Sequence, residues 1–532
     1  MSERADLPED IETLKALVRA QRSELVAREE ELLAKREELD AKNAELCSSA
    51  AEIERLKLLI AKLQRLQFGP RSEKLDREIE QLELKLEELQ VLSQPVLAGK
   101  PATQEKTPPA RRALPEELPR EQHVHEPACN CPDCGSAMRR IGEDVSEMLE
   151  YVPEHFKVIR HVRPKLACPG CERIVQVEAP SRPIERSFAG PGLLAHILTA
   201  KYADHLPLYR QEQIYARQGV ELDRSTMADW VGACTHLMTP LAQALARYVF
   251  AGAKLHADDT PVPVLDPGRG KTKTGRLWTY VRDDRPAKSE QPAAVLFRYS
   301  PDRRGEHPKE HLKPFTGILQ ADAYSGFGHL YGERIQEASC WAHARRAFYE
   351  LHQANQSPVA AEALERIGAL YVIEAEIRGR PPSERAAIRQ ARAGPLLESL
   401  REWLRHILGR VSKKSELAKA VNYILTRWTA FTRYRDDGRL EIDNNAAERS
   451  LRAVALGRKN YLFCGSDAGG ERAAAIYSLI GTAKLNDIDP EAYLRYVLER
   501  IADHPISRID ELLPWNVAAA LRGEDTPLEL AA

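Results

Sequence analysis

Residues 254–265, KLHADDTPVPVL, read as a β-strand, and what its two carboxylates are doing there decides the fold. Asp258 and Asp259 stand in the middle of an apolar run, where a carboxylate is costly to bury unless it is paired or bound to a cation. Three more strand-like runs follow: GRLWTYVRDD (275–284), AAVLFRYS (293–300) and GILQADAY (317–324), each bounded by Gly, Pro or Asp. A shorter run, RIQEASC (334–340), comes after them. Asp322 ends the apolar part of 317–324 and leads into a Gly-containing loop. Much later, IDNNAAERSLR (442–452) opens a helix that Asp443 or Asn444 can cap, with Glu448, Arg449 and Arg452 on its first turns.

Two strand carboxylates and one helix carboxylate are the ligands a two-metal site requires. Mg²⁺ (or Mn²⁺) takes oxygen donors, and a pair of ions about 3.5–4 Å apart clamps both oxygens of a phosphodiester displacement. Asp258, Asp322 and Glu448 are 64 and 126 residues apart, so only a mixed sheet gathers them. Each also has a structural alternative: Asp258 as a hydrogen-bonded acid, Asp322 as a turn residue, Glu448 as an i,i+4 partner of Arg452. All three alternatives holding together is the weaker account. His343 and Arg345, just past the strand ending at Cys340, read as supports behind the metal ligands or as DNA contacts, with a purely structural role as the alternative for His343.

Working toward the N-terminus, Cys131-Pro-Asp-Cys134 and Cys168-Pro-Gly-Cys171 are two CxxC knuckles 33 residues apart. Two thiolate pairs on tight turns close a tetrahedral Zn²⁺ site, with Cys129 as an alternative ligand. Between them FKVIRHVRPKLA reads as a strand whose Lys157, His161, Arg163 and Lys165 share one face, a basic row suited to phosphate. Leu208 to Arg217, the turn at Gly219 and a helix N-capped by Ser225 give a helix-turn-helix layout. Arg224, Ser225 and Thr226 then stand at the groove-reading end, although an ordinary helical hairpin has the same spacing.

The first segment repeats every seven residues at Ile11, Val18, Leu25, Leu32, Leu39, Leu46, Ile53 and Ile60, the stripe of a coiled coil. The chain breaks at Phe68-Gly69-Pro70, resumes as an amphipathic helix, and passes into a Pro-rich stretch. The 532 residues carry 77 basic and 79 acidic side chains, so nucleic-acid binding must come from local patches. Nine cysteines, four of them in CxxC pairs, indicate a reducing compartment and a metal instead of disulfides. MSERADLPED carries no leader-like apolar core and no run approaches a bilayer span, so no membrane partner is expected. GRGKT (268–272) is not a phosphate loop, because Leu265 occupies the position that needs Gly.

RLQFGPRSEKL (65–75), the two knuckles, HADDTPVPVL, LQADAYSGF, CWAHARRAF (340–348), DNNAAERSLR (443–452), GRKNYLFCGSDAGGERAA and LNDIDPEAYL…LLPW together resemble the insertion sequence 66 family of DDE transposases. Two departures are Pro70, where Arg is common, and Asp259, where Glu often follows the first catalytic Asp. The resemblance implies a multidomain α/β protein with a ribonuclease-H-like mixed-sheet core and divalent-metal DNA cleavage and joining at element ends. It puts the triad on Asp258, Asp322 and Glu448, and implies small accessory proteins. Lys459, with the loop around Gly465, reads as a phosphate contact, alongside Arg345, Arg449 and Arg452, the last two having pairing with Asp443 or Asp437 as their alternative.

The expected organisation is coiled coil and amphipathic helices over 1–92, linker over 93–127, zinc ribbon over 128–186 and helical DNA-binding domain over 187–247. A catalytic domain over 250–472 follows, with a helical insertion at about 350–438, and then a helical cap over 473–532. The expected partners are DNA and further copies of the chain through the coiled coil. A bacterial cytoplasm, with nucleoid association on DNA, is the expected location. A DNA-binding regulator without catalysis, or a nuclease that cuts without joining, are the alternatives.

Overall fold

The computed structural model describes residues 118–152, 155–266, 271–457 and 464–522, with Leu114, Glu116 and Asn460. The heptad region, the start of the linker, Lys459 and the last ten residues lie outside the described residues. Among the described residues the fold is mixed α/β, with two mixed sheets.

The first sheet comprises β1 (Arg120–Val124), β2 (Arg139–Val152), β3 (His155–Ala167) and the short β4 (Ile174–Val175). β3 is its hub, parallel to β1 and antiparallel to β2 and β4. β1 lies inside the stretch expected as linker. Its side chains are all exposed, so no apolar alternation announced it; backbone pairing to β3 holds it there.

Four helices follow: α1 (Pro191–Tyr202), α2 (Leu208–Arg217), α3 (Arg224–Leu237) and α4 (Thr239–Phe250). Pro191 occupies the first turn of α1, where its missing N–H costs nothing. The buried Glu150 carboxylate, from β2, accepts the N–H groups of Gly192 (3.0 Å) and Leu193 (2.6 Å) and so caps α1 from the first sheet.

The second sheet holds β5 (Lys254–Asp266), β6 (Lys271–Arg282), β7 (Ala294–Ser300), then α5 (Glu306–His311), β8 (Gly317–Ala321) and β9 (Ile335–Ser339). Its order is β7-β6-β5-β8-β9, antiparallel on the β7 side of β5 and parallel on the β9 side. Pairing of β5 with β8 stops at Ala257–Ala321. Beyond it, Pro263 O and Leu265 N turn to Cys464 on that side, so Pro261 and Pro263 remove no bond to β6. Gly317 begins β8 at φ +146°, and a Cβ there would lie 2.2 Å from Ala253 O. Only glycine fits.

The helical insertion runs through α6 (Trp341–Asn355), α7 (Pro358–Ile377), α8 (Pro382–Ile388), α9 (Gly394–Arg410), α10 (Glu416–Leu425) and α11 (Trp428–Asp436). It has a core of its own, including Ile367, Leu370, Leu397, Leu404, Val421 and Phe431. At its centre the fully buried Arg389 makes two bonds to Glu374 (2.7 and 2.6 Å) and donates to the carbonyls of Tyr434, Asp437 and Leu440. Arg385 reaches Glu441 at 2.9 Å. The insertion thus holds the segment that leads into α12 (Asn445–Gly457).

The chain ends with α13 (Asp467–Leu485), α14 (Pro490–Arg500) and α15 (Pro514–Arg522). α13 runs unbroken through residue 473, where a boundary was expected, because it lies along the open edge of β7. Ser478 and Thr482 hydroxyls accept the β7 amides of Phe297 (2.7 Å) and Val295 (3.1 Å). These bonds close a sheet edge that would otherwise invite pairing with another chain.

Candidate active site

Asp258 and Asp322 are the first residues beyond the last paired position of β5 and β8, Ala257–Ala321. They therefore emerge side by side on one face, the face that also carries His256, Thr279 and Gln320. α12 packs over β5 and β6 with Glu448 on its first turn. Burial pushes the Asp258 carboxyl up to about 7, with the Asp322 charge next in weight and the Asp259 and Glu448 charges adding to it. Like charges held close together and out of water explain that direction.

Asp259 faces the opposite side of the strand. Its carboxylate is 1% exposed, lying 3.2 Å from Arg276 and 3.0 Å from Arg303, whose guanidinium stacks 4.2 Å over the Tyr324 ring. Adjacent acids thus have opposite situations: Asp259 is answered by two arginines, and no cation pairs with Asp258 among the described residues.

Asn444 ties the helix start to the strand. It is fully buried, donates from Nδ2 to Ala257 O at 2.8 Å and accepts from His256 Nδ1 at 3.0 Å. Burial, helped by the Lys254 charge, pushes the His256 imidazole down to about 3, so it stays neutral. The Asn444 amide donates to Cys340 Sγ at 3.1 Å. Asn444 is thus a bridge between strand and helix, beyond the capping role its sequence suggests.

His343 Nδ1 lies 3.7 Å from Glu448 Oε1, and Arg346 lies 3.9 Å from Oε2. The i,i+4 alternative for Glu448 therefore fails: its neighbours are on α6, not Arg452. Five buried polar atoms on and around this face make no hydrogen bond: His256 Nε2, Thr279 Oγ1, Gln320 Oε1, His343 Nδ1 and Glu448 Oε1. Native interiors rarely leave such atoms unmatched without an ion, water or ligand to take them. Oxygen-rich and partly desolvated, the face fits a divalent cation. Among the described residues, however, the only groups of three His, Cys, Asp or Glu donors lying mutually within 4.8 Å are the four knuckle cysteines and Cys340, His343 and Glu448. Asp258 and Asp322 share a field with Glu448 without closing that tightly on it.

Arg345, Arg449 and Arg452 are exposed and make no ion pair among the described residues. A cavity of about 1060 Å³ lies elsewhere, between α3, α4, β7 and α13 with Arg298 and Arg472 in its wall. Arg298 belongs to the row of Trp278 and Asp259, on the reverse face of the sheet, so this cavity is not the carboxylate cleft.

The cysteines converge. Sγ separations are 3.3 Å for Cys131–Cys171, 3.4 Å for Cys134–Cys168 and 3.7 Å for Cys134–Cys171, near the roughly 3.8 Å spacing of thiolates around tetrahedral zinc. The two knuckles repeat one turn. Gly135 and Glu172 both take positive φ (73° and 58°), and each donates its N–H to the carbonyl of the first cysteine at 2.9 Å. Cys129 is exposed and outside the group.

The basic row on β3 is internally answered. Lys157 meets Glu121 at 2.6 Å, Lys165 meets Asp144 at 2.7 Å, and Arg163 lies 3.7 Å from the same Asp144. At the helix-turn-helix candidate, α3 starts at Arg224 with Asp223 in the cap position, not Ser225, because the Arg224 amide is taken by Glu212 at 3.1 Å. Arg224 and Ser225 are exposed, Thr226 is half-buried, and Met227, Trp230 and Val231 face the core.

A sequence profile described as Transposase IS66 family matches residues 186–472, more than half of the chain and all three acids. The chain belongs to the IS66 transposase family. Three further IS66-type matches flank that region: the zinc-finger binding domain of transposase IS66 over 128–172, the IS66 C-terminal element over 478–515 and Transposase C of IS166 homeodomain over 55–122. Similar proteins in Sinorhizobium fredii include the uncharacterized protein y4hP, 43% identical over 491 residues (87% of this chain, 89% of the relative). Another is the uncharacterized protein y4qI, 40% identical over 530 residues (96% and 98%). Family and cysteine geometry together support a transposase that acts on DNA and carries structural zinc. Among the described residues, no helix of this IS66 protein is long and apolar enough to cross a membrane.

Sequence reasoning did not find Arg303, which reaches Asp259 from 44 residues away, nor the pairing of His343 with Glu448. CWAHARR carries a usable signal in the second case: a His three residues after a strand-ending Cys on a new helix.

Proposed function

We propose that the protein is a DDE transposase with a ribonuclease-H-like core, cleaving and joining DNA strands at the ends of its element through Asp258, Asp322 and Glu448. The observation that carries the reading is the register: β5 and β8 stop pairing where Asp258 and Asp322 begin, and α12 brings Glu448 to the same face. The β7-β6-β5-β8-β9 order, antiparallel then parallel, supports the fold assignment.

Asp258, Asp322 and Glu448 would hold Mg²⁺ or Mn²⁺, which supplies an activated oxygen nucleophile and stabilises the leaving oxygen. The rest is the work of the chain. Asn444 keeps α12 in register with β5, and Arg389 anchors the incoming segment. Arg345, Arg449 and Arg452 offer charge to the scissile strand, where guanidinium groups suit phosphate. The α2–α3 unit positions the duplex, and the knuckles stabilise the small unit beside it. Assembly through the N-terminal heptads, accessory proteins from the same element and a cytoplasmic, DNA-associated location belong to this reading.

The test uses a labelled duplex bearing the inverted repeat that flanks the coding region, incubated with the full chain and Mg²⁺. A nicked 3′ end that then joins a target strand is the expected product, absent with Asp322→Asn. Binding without cleavage would make the protein a regulator; cleavage without joining would make it a nuclease.

A further inference from the structure

His343 Nδ1 and Glu448 Oε1 face each other at 3.7 Å, and both atoms are buried and make no hydrogen bond. A direct N–H···O bond would draw them to about 2.7–3.2 Å. Cys340 Sγ completes a group in which all three donor atoms lie within 4.8 Å of one another. Around a tetrahedral ion with bonds of 2.0–2.3 Å, neighbouring donors stand roughly 3.3–3.8 Å apart, so modest tightening places all three on one centre.

The fold has already paid for this placement. Cys340 ends the link from β9 and sits at the N-terminus of α6, where the Asn444 amide points at its sulfur. His343 is on the first turn of α6 and Glu448 on the first turn of α12. Besides His343, the cation in ion-pair range of Glu448 among the described residues is Arg346, 3.9 Å from Oε2 and exposed.

We propose that Cys340, His343 and Glu448 form a second metal site, distinct from the cysteine knuckles, that takes a thiophilic divalent cation such as Zn²⁺ or Co²⁺ and thereby removes Glu448 from the carboxylate face. One sulfur, one imidazole nitrogen and one carboxylate oxygen are a donor set for zinc-like ions; Mg²⁺ prefers oxygen alone. Three protein donors leave a fourth position to water. On binding, the Cys340 S–H bond breaks, its proton goes to solvent, and the thiolate bonds the metal; no oxidation is involved. The inhibitory consequence rests on the catalytic role proposed for Glu448, whereas the binding does not.

The probe is Co²⁺ added to the zinc-replete full chain, with released Zn²⁺ monitored by an indicator dye. Expected are a sulfur-to-cobalt charge-transfer band and visible d–d bands at one equivalent, without zinc release. The charge-transfer band disappears in Cys340→Ser, which keeps a polar atom at the helix start, and Co²⁺ affinity falls at least about tenfold in His343→Gln. A band that appears only as zinc is released, or that survives Cys340→Ser, overturns the site. Circular dichroism of both variants separates ligand loss from misfolding. In the DNA cleavage assay, micromolar Zn²⁺ should inhibit the wild-type reaction and require at least about tenfold more in Cys340→Ser. Cobalt bands together with a chain that cuts no DNA would uphold the site and reject the transposase reading.

Discussion

The zinc knuckles and the carboxylate face assemble charge in opposite ways. The knuckles draw four donors from two copies of one short turn, each closed by its own backbone bonds, and the sulfurs already stand at coordination distance. The nearby cations of β3 are matched by acids of β1 and β2. The carboxylate face draws three acids from three elements and leaves buried polar atoms unmatched. Local closure makes a metal site that stabilises a small unit; in the proposed function, the long-range face would be a second one, whose unmet demand is available for chemistry.

The largest effect expected belongs to the first region. Replacing Cys134 and Cys171 with serine should remove about one zinc per chain, measured by elemental analysis, and with it binding energy on the order of 10 kcal/mol. The knuckle segment should become protease-sensitive while the second sheet keeps its fold. A double variant that binds as much zinc per chain as wild type would refute this ligand set.

Asp258→Asn or Asp322→Asn should lower DNA cleavage by at least on the order of 10²–10³-fold, with the circular dichroism spectrum unchanged. Activity within a few-fold of wild type in either variant would break the contrast, since these acids would then be as structural as the knuckles.

How much of this was legible follows the same division. The knuckles were readable because their information is local: spacing, Pro and Gly. The strands of the second sheet were readable because apolar runs and turn residues are local as well. The pairing of Asp258 with Asp322 was reachable only by supposing a sheet, because strand alternation shows that Asp258 and Asp259 point apart without showing which one meets arginine. Arg303 decides that from a turn with no periodic signal. β1 escaped notice because its pairing is carried by backbone, which leaves no side-chain pattern. Asn444 reads as a cap in sequence, since nothing local tells a cap from a buried bridge.

The two neighbouring acids give the sharpest stability contrast. Asp259→Asn leaves Arg276 and Arg303 without their acid and should cost about 1.5–3 kcal/mol in denaturant melts. Asp258→Asn should act with the opposite sign when no divalent cation is added. The Asp258 carboxyl is pushed up to about 7 in the folded chain, so the folded state holds its proton more tightly than the unfolded one. Below about pH 4 both states are protonated and the substitution is neutral; the gain grows between about pH 4 and 7 and is constant above. A melting temperature that rises at pH 8 and not at pH 4 is the expected result. A loss at pH 8 would mean that Asp258 is as fully paired as Asp259.

The smallest effects concern DNA and test whether pairing predicts usefulness. Each phosphate contact made by a free cation adds roughly one unit to the salt dependence of duplex binding. Arg449 and Arg452 are exposed on the helix that carries Glu448 and make no ion pair among the described residues, so neither must break a bond to reach phosphate. Arg449→Ala and Arg452→Ala should each lower that slope by about one and weaken binding severalfold at low salt. Lys165 starts from an ion pair with Asp144 at 2.7 Å, and Lys157 from one with Glu121 at 2.6 Å. Exchanging an acid for a phosphate gains little, so Lys157→Ala and Lys165→Ala should leave the slope within about half a unit of wild type. Fluorescence anisotropy over a range of salt concentrations measures all four. Were the lysine variants to lose slope and the arginine variants to keep it, the zinc unit would be the DNA-reading surface and its acids mere placeholders for phosphate.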